Sequence, residues 1–426
     1  MDVNDTALLD ATELLRAYAT GSHSPLQVLQ GVTERIARRN PEVNAFAAMN
    51  PAALTAARES TLRWREGKAR ALEGVPVTVC DFVDVAGLPT RRGSKTTDSA
   101  PCRRDSPHIA VLRAAGAVIL GKTTVSEFGW NYLGFSPLNG MIRNPWNTSH
   151  TAGGPAGGAA AAAAGFFGPL HIADGDVCIP ASWTGVVGLK IGTMSENQGI
   201  IARSVEDVAL LSALLKGHPR IDQPQPGVAG LKIGILRAPG FAAPASLTAW
   251  ETVQAAADSL AAQGAELCDI TPELPAIDKI YTAMWSRERI KTVAALSVAQ
   301  QSLLTPELLA LAERLGSPPE AENQSLDAVC AEAKARMVML GVDAILCPTV
   351  PHGAPLMDAP MPDPLVALVQ DWAPWTMLFR LTGQPALTLP MGVDADGLPT
   401  SVQIAAGQEG EEIILRIAKA LEQGLG

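Results

Sequence analysis

The chain has 426 residues, of which 47% are hydrophobic and 18% charged, and a formal net charge of −10. That length supports a large core, that composition excludes extensive disorder, and the acidic balance offers no basic footprint for nucleic acid. The six cysteines, at 80, 102, 178, 268, 330 and 347, make no disulfide framework, and the start Met1-Asp2-Val3-Asn4-Asp5 lacks a basic-then-apolar leader, so the cytoplasm is the expected location.

Between residues 6 and 70 the apolar side chains fall at helical spacing, first Leu8, Leu9, Leu14 and Leu15, then Val28, Leu29, Val32 and Ile36. Pro25 after Ser24 predicts the start of the second helix. From Val75 onward, short Val/Ile-rich strands alternate with helices, which predicts an α/β sheet covered on both faces. Glycines 153, 154, 157 and 158 precede an alanine run at 159–164 that favours a helix and is too short and too weakly apolar to span a bilayer. A Gly-rich turn opening a helix presents backbone N–H groups to a carboxylate, carbonyl oxygen or phosphate; a tight turn before a buried helix needs the same residues. Further on come a Pro/Gly-rich connection at Pro219–Pro226, a strand at Leu231–Leu236, helices through Val329, and core strands at Val342–Pro348 and Ala386–Pro390. No internal repeat is evident.

Several blocks stand in a telling order. GVPVTVCD occupies Gly74–Asp81, GAVILGKT Gly116–Thr123 and NPWN Asn144–Asn147. The stretch TAGGPAGGAAAAAAGFFGPLHIADGDVCIP fills Thr151–Pro180, and IPAS, GVVGLK and ARSVED follow at 179–182, 185–190 and 202–207. GQPAL at 383–387 and DGLP at 396–399 complete the series. Together these blocks resemble the amidase signature family over nearly the whole chain. The resemblance implies fold class α/β, an α/β/α sandwich around a large mixed β-sheet, as a single domain over 1–426. Within it, N-terminal helices would occupy 1–70, the signature core 74–212, a variable mostly helical region 213–335, and C-terminal strands and a helix 336–426. Between Lys190 and Ala202 the chain is shorter than in family members, which implies a trimmed loop near the pocket mouth.

In that family a lysine at a strand end, a cis serine in the glycine turn and a nucleophilic serine form the catalytic triad. The matching positions here hold Cys80, Pro155 with Ala156 beside it, and Asp176, and Cys178 stands where the family has an arginine. With no hydroxyl to attack or to relay a proton, the family's serine route is not expected. The resemblance places Asp176 in a pocket beside Cys80 and Cys178, where poor solvation raises a carboxyl pKa towards general acid or base duty; a buried aspartate bonded to neighbouring N–H groups is the alternative. Asp176 and Cys80 are therefore the candidate catalytic pair, with a packing thiol as the other reading of Cys80. Gly153, Gly154, Pro155, Ala156, Ala173, Asp174, Gly175, Cys178, Trp130, Tyr132, His150 and Thr151 are candidate substrate-binding residues. For the aromatic residues core packing is equally open, and for His150 and Thr151 capping or turn roles.

His171, Asp174 and the thiols do not have a zinc spacing, so no metal and no cofactor are expected. The expected function is cofactor-independent acid–base chemistry (isomerisation, elimination, addition or cyclisation) on a small carbonyl- or amide-bearing metabolite. Two alternatives stay open: an inactive pseudoamidase that binds a ligand or a partner chain, and a hydrolase using Asp176-activated water or Cys80. The expected partner is a small molecule, with neither nucleic acid nor membrane, and a homodimer stays open.

Overall fold

Apolar runs without alternation call for burial on both faces, and the computed structural model places them inside a mixed sheet. It describes residues 5–191, 198–217, 227–240, 244–275, 277–315, 322–338, 340–359 and 374–424. The Pro/Gly-rich connection Pro219–Pro226 and positions 192–197 of the shortened loop lie outside the described residues.

The strands are β1 (Phe46–Met49), β2 (Pro76–Cys80), β3 (Val118–Thr123), β4 (Phe135–Ser136), β5 (Gly140–Met141), β6 (Leu170–Asp174) and β7 (Val187–Ile191). They continue with β8 (Gln198–Ala202), β9 (Lys232–Leu236), β10 (Glu266–Ile270), β11 (Ala344–Pro348), β12 (Ala386–Val393) and β13 (Pro399–Ala406). Eleven of them form one sheet in the order β1-β3-β2-β6-β8-β7-β12-β13-β11-β9-β10, and β4 and β5 pair separately. Strand β2 runs parallel to β3 and β6, and β9 parallel to β10 and β11. The remaining neighbours in the sheet are antiparallel.

Successive residues of a strand point to opposite faces, so two cores form. Ile119, Ile200 and Ile404 join one, packed with Ile414, Ile417 and Leu421 of helix Glu411–Gly424 and Val253, Ala257 and Leu260 of helix Leu247–Ala262. Leu120, Ile201 and Ala405 face the other way. There the Ala-rich helix Gly157–Ala164, the helix Cys178–Thr184 and the helices Ile277–Ala294 and Pro374–Thr382 pack. This is the expected α/β/α arrangement, and the second face carries the site.

Helix Pro25–Val43 starts where the sequence predicts: Pro25 is its first residue, and Ser24 caps it reciprocally with Gln27. Val28, Leu29, Val32 and Ile36 are buried. Leu8 departs from expectation, lying 46% exposed in a short turn at Asp5–Leu8 before the helix Ala11–Thr20. Strand β1 also interrupts the helical N-terminal region, where it pairs antiparallel with β3. Among the described residues no helix is long and apolar enough to cross a membrane.

Candidate active site

Two turns meet at the C-terminal end of β6. In the glycine turn Gly153 has φ 86, and a Cβ there would come within 2.8 Å of the Trp183 ring, so only glycine fits. Thr151 holds the turn, its Oγ1 accepting from the Gly153 N–H (2.9 Å) and donating to the Leu133 carbonyl (2.6 Å). The Gly154–Pro155 peptide is cis. Past β6, Gly175 has φ 101, and a Cβ on it would meet the Pro155 ring at 2.8 Å. The two turns are therefore in direct contact.

Beside that contact opens a small cleft of about 180 Å³. Phe82, Phe128, Tyr132 and Pro155 give it an apolar wall, and Asp174 and Gly175 bring the end of β6 to it. Its charged wall is Arg92, Glu288, Arg289 and Arg380. Burial raises the Asp174 carboxyl above the ordinary aspartate range, and the Arg380 charge pulls against that shift.

Arg380 is the one charged residue of helix Pro374–Thr382. Its Nη1 donates to Tyr281 Oη (3.2 Å), which itself contacts Tyr132 Oη (3.0 Å). The same nitrogen lies 3.8 Å from Asp176 Oδ2, and Arg380 Nε is buried with no hydrogen-bond partner among the described residues. Arg289 donates to the Gly129 carbonyl (3.0 Å), pairs with the exposed Glu288 (2.6 Å) and lies over the Trp285 ring.

Asp176 is fully buried behind this wall. Its Oδ1 accepts from the N–H groups of Cys178 (2.9 Å) and Ile179 (3.4 Å), at the start of helix Cys178–Thr184, and its Oδ2 has no hydrogen-bond partner among the described residues. Burial raises its pKa, opposed by Arg380. The expected neighbourhood of Asp176 and Cys80 gives way to a different pairing. Cys80 Sγ accepts from the Asp174 N–H (3.0 Å), and burial followed by the Asp174 charge pushes the thiol up to about 12. Fully buried and protonated at neutral pH, Cys80 is not placed as a thiolate nucleophile. Cys178 is also sealed and pushed up to about 12, by burial and then by Asp176.

Of the candidate substrate-binding residues, Tyr132, Pro155, Asp174 and Gly175 line the cleft. Gly153, Gly154, Ala156 and Ala173 are buried in the turns and strand that support it. Trp130, 1% exposed, packs in the core with Trp183 and Trp285 because its large ring is enclosed by apolar neighbours. His150 bonds through Nδ1 to the Ala354 carbonyl (2.7 Å), and Thr151 has the turn-holding role described above. Arg92, Glu288, Arg289 and Arg380 are absent from the candidates that the sequence suggests. Glu288 and Arg289 sit on helix Ile277–Ala294, outside any motif, and for Arg380 the available signal was a lone arginine among Trp375, Met377, Leu378 and Phe379.

The family model described as Amidase matches residues 27–415. The chain belongs to the amidase family. A glutamyl-tRNA(Gln) amidotransferase subunit from Salinispora arenicola is 29% identical to it, the match covering 100% of this chain and 99% of that protein. The putative amidase AmiA2 of Mycobacterium bovis is 30% identical over 96% of this chain and 92% of its own length. Among solved structures, a 6-aminohexanoate cyclic dimer hydrolase complexed with substrate has a TM-score of 0.85 at 26% identity, covering 100% of this chain and 98% of its own.

The chain is thus an enzyme of the amidase family, and the expectation of non-hydrolytic isomerase, lyase or cyclase chemistry is corrected. These relatives are named for amidase, amidotransferase and hydrolase activities. That expectation inferred a new reaction class from three substituted positions, and it also assumed that Asp176 faces the pocket.

Proposed function

We propose that this enzyme hydrolyses a small amide in the cleft at the end of β6, with water as nucleophile and Asp174 as its base. The observation that carries the reading is the placement of Asp174, a partly buried carboxylate on the cleft wall whose pKa burial raises towards useful basicity. Similarity to proteins named as amidases and hydrolases supports the reaction class. Because positions 155, 156 and 176 hold proline, alanine and aspartate, water takes the place of a serine hydroxyl.

Water attacks the carbonyl carbon while Asp174 takes its proton. The tetrahedral oxyanion then collapses, the C–N bond breaks, and the proton passes from Asp174 to the departing nitrogen. Negative charge gathering on the carbonyl oxygen is favoured by the guanidinium groups that share the cleft. Asp176 and Cys80 support this site from behind: Asp176 caps the helix after the turn, and Cys80 receives the Asp174 N–H.

The test is release of ammonia or amine from a panel of small aliphatic, aryl and carboxylate-bearing amides, with oxygen from labelled water entering the acid product. Turnover of at least one amide is expected. No release from any member of the panel contradicts the proposal.

A further inference from the structure

Arg380 is the cleft's most unusual group, because a charged fork is held in a nearly closed place with part of its bonding capacity unspent. Its side chain is 11% exposed, and its Nε is buried without a hydrogen-bond partner among the described residues. The carboxylate oxygen it faces, on Asp176, lies at 3.8 Å, beyond hydrogen-bond reach. Among the described residues, three guanidinium groups face the cleft against two carboxylates, Asp174 and Glu288, and the buried Asp176 forms an ion pair with Arg380 from behind. Glu288 bonds Arg289 at 2.6 Å, so it adds to the field at Arg380 without filling its N–H donors. A buried guanidinium is stable when a planar anion occupies its fork, and carboxylate is the group whose two oxygens match that geometry.

We infer that the substrate carries a carboxylate near its amide and that Arg380 binds this carboxylate on the cleft wall. The inference rests on the hydrolytic reading for the word substrate, while the binding it asserts is independent of turnover. The apolar wall of Phe82, Phe128 and Pro155 suits a hydrocarbon link between the two groups. The class is therefore the monoamide of a dicarboxylic acid. Arg380 is a specificity-determining residue in this scheme, and Asp174 faces the scissile carbonyl.

Ketone analogues, in which carbon replaces the amide nitrogen, separate binding from hydrolysis because they cannot be cleaved. Calorimetric titration of the wild-type protein compares 4-oxopentanoate with neutral 2,5-hexanedione, and 5-oxohexanoate with 2,6-heptanedione. In at least one pair the keto acid is expected to bind at least about tenfold more tightly, as a charge-assisted bond in a poorly solvated site would give. Arg380→Gln should erase that preference, and Arg380→Lys should retain part of it by keeping charge without the fork. Should Arg380→Gln not fold, the wild-type comparison still decides. Equal affinity within both pairs, or no binding of any of the four, overturns the inference. A keto-acid preference without turnover of any amide counts against the hydrolytic reading alone. Turnover of neutral amides without the preference counts against this inference alone.

Discussion

Lys190 gives a sharp test of the packing behind the site. It lies on β7, almost fully buried, and its Nζ donates to the carbonyls of Phe379 (2.8 Å) and Gln384 (2.7 Å), which bracket the segment that starts at Arg380. Burial lowers its pKa from 10.5 to about 7. Between those values the unfolded chain holds a proton that the folded chain lacks, so stability rises with pH and falls back as pH drops through 7. For a single group with these two pKa values, the rise from pH 7 to pH 9 is about 2 kcal/mol, with little further change below pH 6. Lys190→Met removes the titration. It also strips two carbonyls of their donor, so its absolute stability combines several costs and the change with pH is the informative quantity. Urea unfolding followed by tryptophan fluorescence at pH 6, 7, 8 and 9 would measure wild type minus variant. The buried thiols Cys80 and Cys178 are held near 12, and loss of the Lys190 charge only pushes Cys178 further up, so both stay protonated over this range in either folded protein and drop out of the difference. A difference that does not change between pH 7 and pH 9 would refute the burial of Lys190 as a strained cation.

Gly153→Ala should destabilise the fold by about 2–5 kcal/mol, combining the left-handed backbone with a Cβ 2.8 Å from the Trp183 ring; a loss under 1 kcal/mol in urea unfolding would contradict that packing. In the native protein at pH 7.5, iodoacetamide should label exposed Cys268 first and leave Cys80, Cys178 and Cys347 untouched, as peptide mass spectrometry can check; labelling of Cys80 at the rate of Cys268 would show that the site is open. Ser24→Ala should cost about 1 kcal/mol through loss of the N-cap at helix Pro25–Val43, and an unchanged unfolding midpoint would argue against the cap.

The frame of this protein was legible because its signals are local. An apolar run such as Pro76–Cys80 needs burial on both faces, and Ser24-Pro25 sets a helix start whatever surrounds it. Strand β1 departs from the helical expectation because its pairing is decided by a distant segment, β3, and Leu8 departs from it because it ends a short turn before the first helix. At the site, the sequence blocks lead to Pro155, Asp174 and Gly175, but the aspartate on the cleft wall is Asp174, while Asp176 is buried behind it. Strand alternation sends residues 174 and 176 the same way, but Gly175 at φ 101 breaks the alternation, leaving Asp174 on the cleft and Asp176 against the helix that follows. Arg289 and Arg380 escaped notice because they reach the cleft from helices joined to it only by tertiary packing.

The central claim is that Asp174 acts as base for the attacking water. Its most direct test is the turnover of the best amide found, measured for wild type and for Asp174→Asn, with circular dichroism confirming that the variant folds. Loss of a general base predicts a fall in kcat of roughly 10² or more with KM little changed. In the wild type, activity should rise with pH along an acid limb set by a carboxyl whose pKa lies above 3.8. A folded Asp174→Asn protein that keeps wild-type kcat would contradict the account.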